Sequence, residues 1–318
     1  MSNNLELPRQ PVGSIPTTLI GLFCLSLALI AVSFAAIFIR WSEQEIGPNA
    51  TVFNRLWIAT LVFGLWDGLK FMQSRQSENL SLKPLKYTQQ DLLLLLIVGV
   101  VSSASVACWA WSLTQTTVAN STLLRNLTPL FTSLGGWLFL SQRFESKFIV
   151  GMGLAMVGAI AIGWDDLELA TANFIGDGVA LLSALFYGVN LLVVERLRAK
   201  WATPTILLWR CSIGALLLLP VVLLSETRLF PYSWQGWVVV ICLAIVCQAF
   251  GQGLLVYSLK NFSSGFIAIF LLLEPVLTAG LAWLIFAENL SLLNGLAFSL
   301  VLAGIYLAKS SQSAQQTG

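Results

Sequence analysis

The chain has 318 residues, of which 57% are hydrophobic and 10% charged, with a mean hydropathy of +0.82 and a net charge of +2. Soluble domains carry about a quarter of their residues as charges, so this balance excludes an ordinary water-soluble fold and gives no reason to expect a nucleic-acid partner. With no histidine in the sequence, His-based acid–base catalysis, haem ligation, His zinc sites and His proton relays are all excluded. The five cysteines (Cys24, Cys108, Cys211, Cys242, Cys247) lie in apolar runs without C-x-x-C spacing, and they read as small packing residues. No cofactor or metal is expected.

A bilayer core of about 30 Å takes about 20 helical residues to cross. Read on that scale, the sequence after an N-terminal tail (1–16) offers ten spans: 17–39, 50–71, 91–113, 117–140, 147–164, 175–195, 203–224, 234–257, 264–286 and 291–308. The first apolar run is longer than the core of a cleaved leader and is followed by many equals, so it is expected to be a retained span. Spans 3 and 4 are separated only by Thr114–Thr116, and spans 9 and 10 by a few residues around Glu288. Both pairs should be tight helical hairpins.

The loops alternate in charge. One side holds Arg9, Lys70, Arg75, Lys83, Lys86, Arg143, Lys147, Arg196, Arg198, Lys200, Lys260 and Lys309, and the other only Arg40 and Arg228. The basic side should be cytoplasmic. That puts both termini inside and the acidic loop Asp165–Glu168 outside. Trp41, Trp164, Trp201, Trp234 and Trp237 near span ends fit interfacial anchoring.

The sequence also repeats itself. Adding 155 to positions in spans 1 and 2 brings Arg55 onto Arg210. Adding 146 in spans 3 to 5 brings Trp111 onto Tyr257, Ser112-Leu113 onto Ser258-Leu259, Pro129 onto Pro275, Trp137 onto Trp283 and Gly158 onto Gly304. Five spans per copy is odd, so the copies must enter the membrane in opposite senses, as in inverted-repeat secondary transporters. The expected fold is an all-α polytopic membrane protein of ten transmembrane helices in two inverted five-helix repeats. Its expected parts are a cytoplasmic tail (1–16), a first repeat (17–164), an external linker (165–174), a second repeat (175–308) and a cytoplasmic C-terminal tail (309–318).

The run Ala119-Asn-Ser-Thr-Leu-Leu-Arg-Asn-Leu-Thr-Pro129-Leu-Phe, followed by Trp137-Leu-Phe-Leu and Gly151, Gly153 and Gly158, resembles the EamA domain of the drug/metabolite transporter superfamily. So does Glu274-Pro275-Val276, followed by Ala282-Trp283, Glu288-Asn-Leu-Ser and the stretch from Gly295 to Gly304. The second copy is the closer match, because the first has Gln142 where the second keeps Glu288. The resemblance covers about residues 17–308. It implies ten helices, cytoplasmic termini, and export or exchange of small metabolites across the cell (inner or plasma) membrane. Span 1 lacks an acidic residue, so the coupling carboxylate of the related small multidrug-resistance proteins has no counterpart there.

Charges inside the spans need a reason, because an arginine at the bilayer centre costs about 2.5–3.5 kcal/mol on the insertion scale. Arg55 and Arg210 lie about 8–10 Å inside their spans; they can either snorkel to headgroups or act as matched cavity residues of the two repeats. Arg125 and Glu274 lie deeper and at similar heights. They are expected to face one central cavity and to pair, directly or through substrate; the alternative is a salt bridge that only fixes span 4 against span 9. Glu274 is also the best carboxylate for proton coupling, since Asp67 and Glu195 fall near the basic interface.

Pro129 and Pro275 break spans 4 and 9 near their middles, and Asn126, Thr128 and Glu274 adjoin the breaks. Trp109, Trp111, Gln115, Tyr187, Asn190, Gln248, Gln252 and Tyr257 complete the set of polar or aromatic intramembrane residues; each alone is adequately explained by packing. Small residues at four-residue spacing on span 5 (Gly151, Ala155, Ala159, Gly163) favour close contact, within a monomer or in a homodimer.

These features point to a secondary transporter of a small, amino-acid-like or amphiphilic solute, coupled to protons or a counter-substrate. A channel-like or non-transporting membrane protein is the alternative. A membrane-embedded enzyme lacks its expected motifs.

Overall fold

The computed structural model describes residues 17–76, 87–113, 115–116, 118–162, 174–277, 280, 284 and 292–315. Among these the chain is helical, with no strand. Helices α1 (Thr17–Ser33) and α2 (Ala35–Ser42) form the first crossing, bent at Phe34. There the Ser33 hydroxyl donates back to Leu29 O at 2.9 Å, a local competition with the helix ladder that bends helices. Next come α3 (Pro48–Gln76), α4 (Gln89–Leu113), α5 (Val118–Arg125), α6 (Thr128–Phe139) and α7 (Ser146–Ile162). The second half contains α8 (Phe174–Arg198), α9 (Thr203–Ser225), α10 (Trp234–Cys242), a π-helical segment Leu243–Gly251, α11 (Gln252–Ser258), α12 (Ser264–Leu271) and α13 (Leu292–Lys309). Residues 274–277 form one further helical turn.

Joined end to end, these helices make ten rods, equal in number to the ten expected crossings. Five stretches are long and apolar enough to cross a membrane: Thr18–Ser42, Gln89–Ser112, Phe174–Arg198, Thr203–Ser225 and Trp234–Ser258. The boundaries differ from the sequence reading by a few residues, most at the first two crossings. The first crossing runs past Ile39 to Ser42, and the second is extended to Pro48–Gln76. Proline is well suited to the first helical position, where the N–H would be unpaired anyway. The Asp165–Glu168 loop, Gly163, Trp164, Trp283 and Glu288 lie outside the described residues.

Without a hydrophobic drive between helices in lipid, close backbone approach and interhelical hydrogen bonds decide the packing. Helix α4 lies along α8, where Ser105 Oγ donates to Ser183 O at 3.0 Å and Ser183 Oγ returns a bond to Ser105 O at 2.8 Å. Helix α3 packs on α9 and on the π segment, α4 also on α9, and α1 on the π segment and α11. The small face of α7 is used within the chain, against α13. A Cβ at Gly304 would stand 2.6 Å from Gly151 O, and one at Gly158 would stand 2.8 Å from Ala297 O. Only glycine permits that approach.

Both described ends of the chain sit at one end of the bundle. Gly21 on α1 abuts Asn261 and Phe262, while the segment after α13 is clasped to the α6–α7 loop. Glu145 accepts from Ser311 Oγ at 2.8 Å, and Ser263 donates through its N–H to Ala314 O at 3.1 Å. At the opposite end Glu45 accepts from the Ser233 hydroxyl and from the N–H groups of Tyr232 and Ser233 at the start of α10. The Ser233 hydroxyl first, and then these N–H groups, hold its carboxyl below the usual carboxylate range.

Gly304→Leu should lower the thermal midpoint of the detergent-solubilised protein sharply, with overpacking costing about 1–3 kcal/mol or more. Gly295→Ala, where a Cβ meets nothing within 4 Å, should leave the midpoint unchanged or raise it slightly.

Candidate functional site

The two proline breaks come first, because they open the middle of the bundle. Proline lacks an N–H and frees the carbonyl four residues earlier, so Pro129 frees Arg125 O and Pro275 frees Leu271 O. Helix α5 stops at Arg125, a turn covers Asn126–Leu127, and α6 restarts with Pro129 in its first turn. Thr128 Oγ1 donates to the freed Arg125 O at 2.7 Å. The second break has the same form: α12 ends at Leu271, Leu272–Leu273 make the turn, and helix resumes at Glu274.

Between these breaks lies a cavity of about 210 Å³. Its charged and polar lining comes from Arg55 (α3), Ser102, Ser103 and Ser105 (α4), Arg125 (α5), Tyr187 (α8), Arg210 (α9), Gln248 (π segment), Gln252 (α11) and Glu274, with Trp109 adding an indole. Val32, Ile39, Val52 and Leu218 line its apolar side. Drug-sized pockets run to about 300–1,000 Å³; this one suits a small solute.

Arg55 Nε donates to Gln248 Oε1 at 2.7 Å, while Arg210 donates through Nε to Ser102 Oγ at 2.7 Å and through Nη1 to Gln252 Oε1 at 3.2 Å. Both arginines therefore turn inward instead of snorkelling. Arg125 sits with its guanidinium carbon 4.6 Å from the Trp109 ring centre and 5.4 Å from that of Tyr187. Cation–π contacts reach about 2 kcal/mol when desolvated. Among the described residues no direct ion pair joins Arg125 to Glu274; the ion pair found among them, Lys200 with Asp91, lies outside the cavity. Glu274 lies within Coulombic reach of Arg125 and Arg55. Held by aromatic faces, Arg125 has no need of a carboxylate at contact distance.

Several expected residues lie elsewhere. Asn126 is half-buried in the first break and does not line the cavity. Asn190 is buried one turn beyond Tyr187, its Oδ1 without a hydrogen bond among the described residues. Tyr257 faces away, into an apolar groove between α3, α9 and the eighth crossing. Glu195, at the basic end of the bundle, turns into the protein there. It is 4% exposed and accepts from Gln142 Nε2 at 3.0 Å and from Ser264 N at 3.1 Å, at the start of α12. An acid belongs at a helix N-terminus, where unpaired N–H groups and the macrodipole favour it.

The sequence reading missed Ser102, Ser103 and Ser105. A signal was present: three hydroxyls in four residues at the middle of a largely apolar span. The offset of 146 that joins the later spans also carries Ser102 to Gln248.

The sequence pattern of the EamA-like transporter family matches residues 19–164 and 174–309, and the chain belongs to that family. An uncharacterized transporter of Archaeoglobus fulgidus is 23% identical over 296 residues, 92% of this chain and 97% of that protein. The pseudopaline exporter CntI of Pseudomonas aeruginosa is 22% identical over 205 residues, 63% of this chain and 69% of its own. A solved crystal structure with 18% identity superposes with a TM-score of 0.72 over 92% of this chain and 96% of its own, and so shares the fold.

Thr128→Val should strip the freed Arg125 carbonyl of its donor and cost about 1–3 kcal/mol. Thr128→Ser should retain most of that stability in the same thermal unfolding assay.

Proposed function

We propose that this protein is a secondary transporter of the cell membrane that moves a small anionic or zwitterionic metabolite by alternating access, using the Arg55–Arg125–Arg210–Glu274 cavity as its substrate site. The observation that carries this reading is a matched pair of contacts. The 155 offset relates Arg55 to Arg210, and the 146 offset relates Ser102 to Gln248. The bonds Arg55–Gln248 and Arg210–Ser102 are therefore the same contact made twice, each crossing between the halves, at equal lengths of 2.7 Å. The packing pairs agree, since α1 with the eighth crossing matches α4 with α8, and α3 with the π segment matches α9 with α4. Such internal symmetry supports two inverted five-helix repeats, at residues 17–164 and 175–308, with the site on their shared axis. The lysine- and arginine-rich loops support a cytoplasmic location for both chain ends.

The chemistry of the lining sets the substrate class. Three guanidinium groups against one carboxylate leave a surplus of positive charge in a low-dielectric site, where an unpaired charge is costly. A solute carboxylate would meet that surplus, and an amino group on the same solute would meet Glu274. Trp109 adds a buried Nε1–H with no protein partner among the described residues; an acceptor on the solute would satisfy it. The name of the Pseudomonas relative, an exporter, supports outward transport of a metabolite.

Glu274 is the residue for proton coupling. By the 146 offset it stands where the first repeat has Thr128, whose hydroxyl closes the freed carbonyl of its own break. An ionised carboxylate has no proton to donate. Once protonated, Glu274 gains the donor that the second break requires, so taking up a proton would change how that break is held.

Counterflow in proteoliposomes with a panel of amino acids and small organic acids tests the reading. Saturable exchange is expected, and Arg125→Gln should lower it by about tenfold to a hundredfold, the worth of one charged hydrogen bond. Non-saturable flux would instead indicate a channel, and product formation an enzyme. Glu274→Gln should abolish the response to an imposed pH gradient; retention of full proton dependence would remove the coupling role.

A further inference from the structure

Behind the central cavity, on the far side of the eighth crossing, lies a second and larger concavity of about 570 Å³. It is walled by Val62, Phe63 and Trp66 of α3, by Ile245, Ala249, Phe250 and Gly253 of the π segment and α11, and closed at one end by Arg198 and Tyr257. The walls are apolar and the closed end is not. From Tyr257 to Ile245 is twelve residues of helix, about 18 Å of rise; half of a bilayer core is about 15 Å. The groove therefore has the length of one leaflet. Its Arg198 end carries the amphipathic rings of Trp66 and Tyr257, 54% and 41% exposed, the kind of residue that settles at the headgroup level.

Arg198 is fixed in place at that level. Its Nε donates to Val256 O at 3.1 Å and its Nη1 to Trp201 O at 2.7 Å, which uses one edge of the guanidinium to close two carbonyls near helix ends. The Nη2 group has no protein partner among the described residues. An arginine presents five N–H donors in a rigid fork and pairs readily with phosphate.

We infer that this groove is a binding site for an anionic phospholipid of the same leaflet, with an acyl chain lying along Phe63, Ile245, Ala249 and Gly253 and the headgroup phosphate on the open edge of Arg198. This goes beyond the transport reading, and uses of it only that the helices cross a membrane. The occupant is a lipid and not the transported solute because the groove opens to the hydrocarbon face and presents only one charged group, at its rim. Gly253 provides the means of testing it, since a side chain there would meet nothing within 4 Å and would grow into the groove.

Native mass spectrometry of the purified full-length protein, titrated with phosphatidylglycerol or phosphatidylcholine, supplies the readout. Wild type should retain phosphatidylglycerol over phosphatidylcholine by about fivefold, the advantage expected when one basic residue meets an anionic headgroup. Arg198→Gln should reduce that ratio to about one while leaving lipid adducts present. Gly253→Trp should deplete the adducts of both lipids. Equal retention of the two lipids by wild type, or undiminished phosphatidylglycerol binding by Gly253→Trp, would overturn the proposal. The second variant keeps the test decisive should loss of the Arg198 carbonyl contacts unfold the first. Displacement of the lipid by a transported amino acid would reassign the groove to substrate entry and would equally overturn it.

Discussion

Burying guanidinium groups in a hydrocarbon layer is the constraint from which the rest of this structure follows. Arg55, Arg125 and Arg210 cannot leave their charges bare, and with Glu274 as the carboxylate among them they cannot all be neutralised by ion pairs. The chain answers with oriented dipoles and π faces: amide oxygens of Gln248 and Gln252, the hydroxyl of Ser102, and the rings of Trp109 and Tyr187. Dipoles and rings stabilise a cation without cancelling it. The positive charge of the cavity therefore remains, whereas a salt bridge would have cancelled it.

That requirement explains the helix irregularities. A regular helix shows the membrane a continuous ladder of satisfied groups and offers no polar backbone. The two proline breaks let α5 deliver Arg125 and let the ninth crossing deliver Glu274 to the same space. The π segment, a form often found at functional sites, runs through the stretch that must show Gln248 to one side and an apolar wall to the other. Regular, tightly packed geometry is kept for the periphery, where α7 and α13 meet backbone to backbone at Gly151 and Gly304.

Much of this was legible in the sequence. Apolar run lengths gave the ten crossings, and proline gave the positions of the breaks, because both effects are local. The inward turn of Arg55 and Arg210 was not decided, since a depth of about 8–10 Å allows either snorkelling or burial. Only the partners distinguish the two, and those partners lie 42 to 193 residues away on other helices. The partners of Glu195, Gln142 and the start of α12, were hidden for a related reason: they come from other parts of the chain, and nothing in the residues beside it points to them. Tyr257 was grouped with the cavity residues as a polar ring inside a span, but it faces the groove on the far side of the eighth crossing, and its repeat mate Trp111 is likewise exposed on α4. The serines of α4 were passed over because each is unremarkable alone and significant only beside a distant arginine.

The π segment has a mechanical consequence. Bonding from each residue to the fifth along holds surplus chain relative to an α-helix, where each residue turns the axis by about 100°. Gln248 and Gln252 now reach different arginines from the two sides of its end. Were the segment to tighten to α geometry, the part beyond it would rotate relative to the part before, and one glutamine would leave its arginine. The surplus residue of the π segment is thus what sets the rotation at which both glutamines meet their arginines.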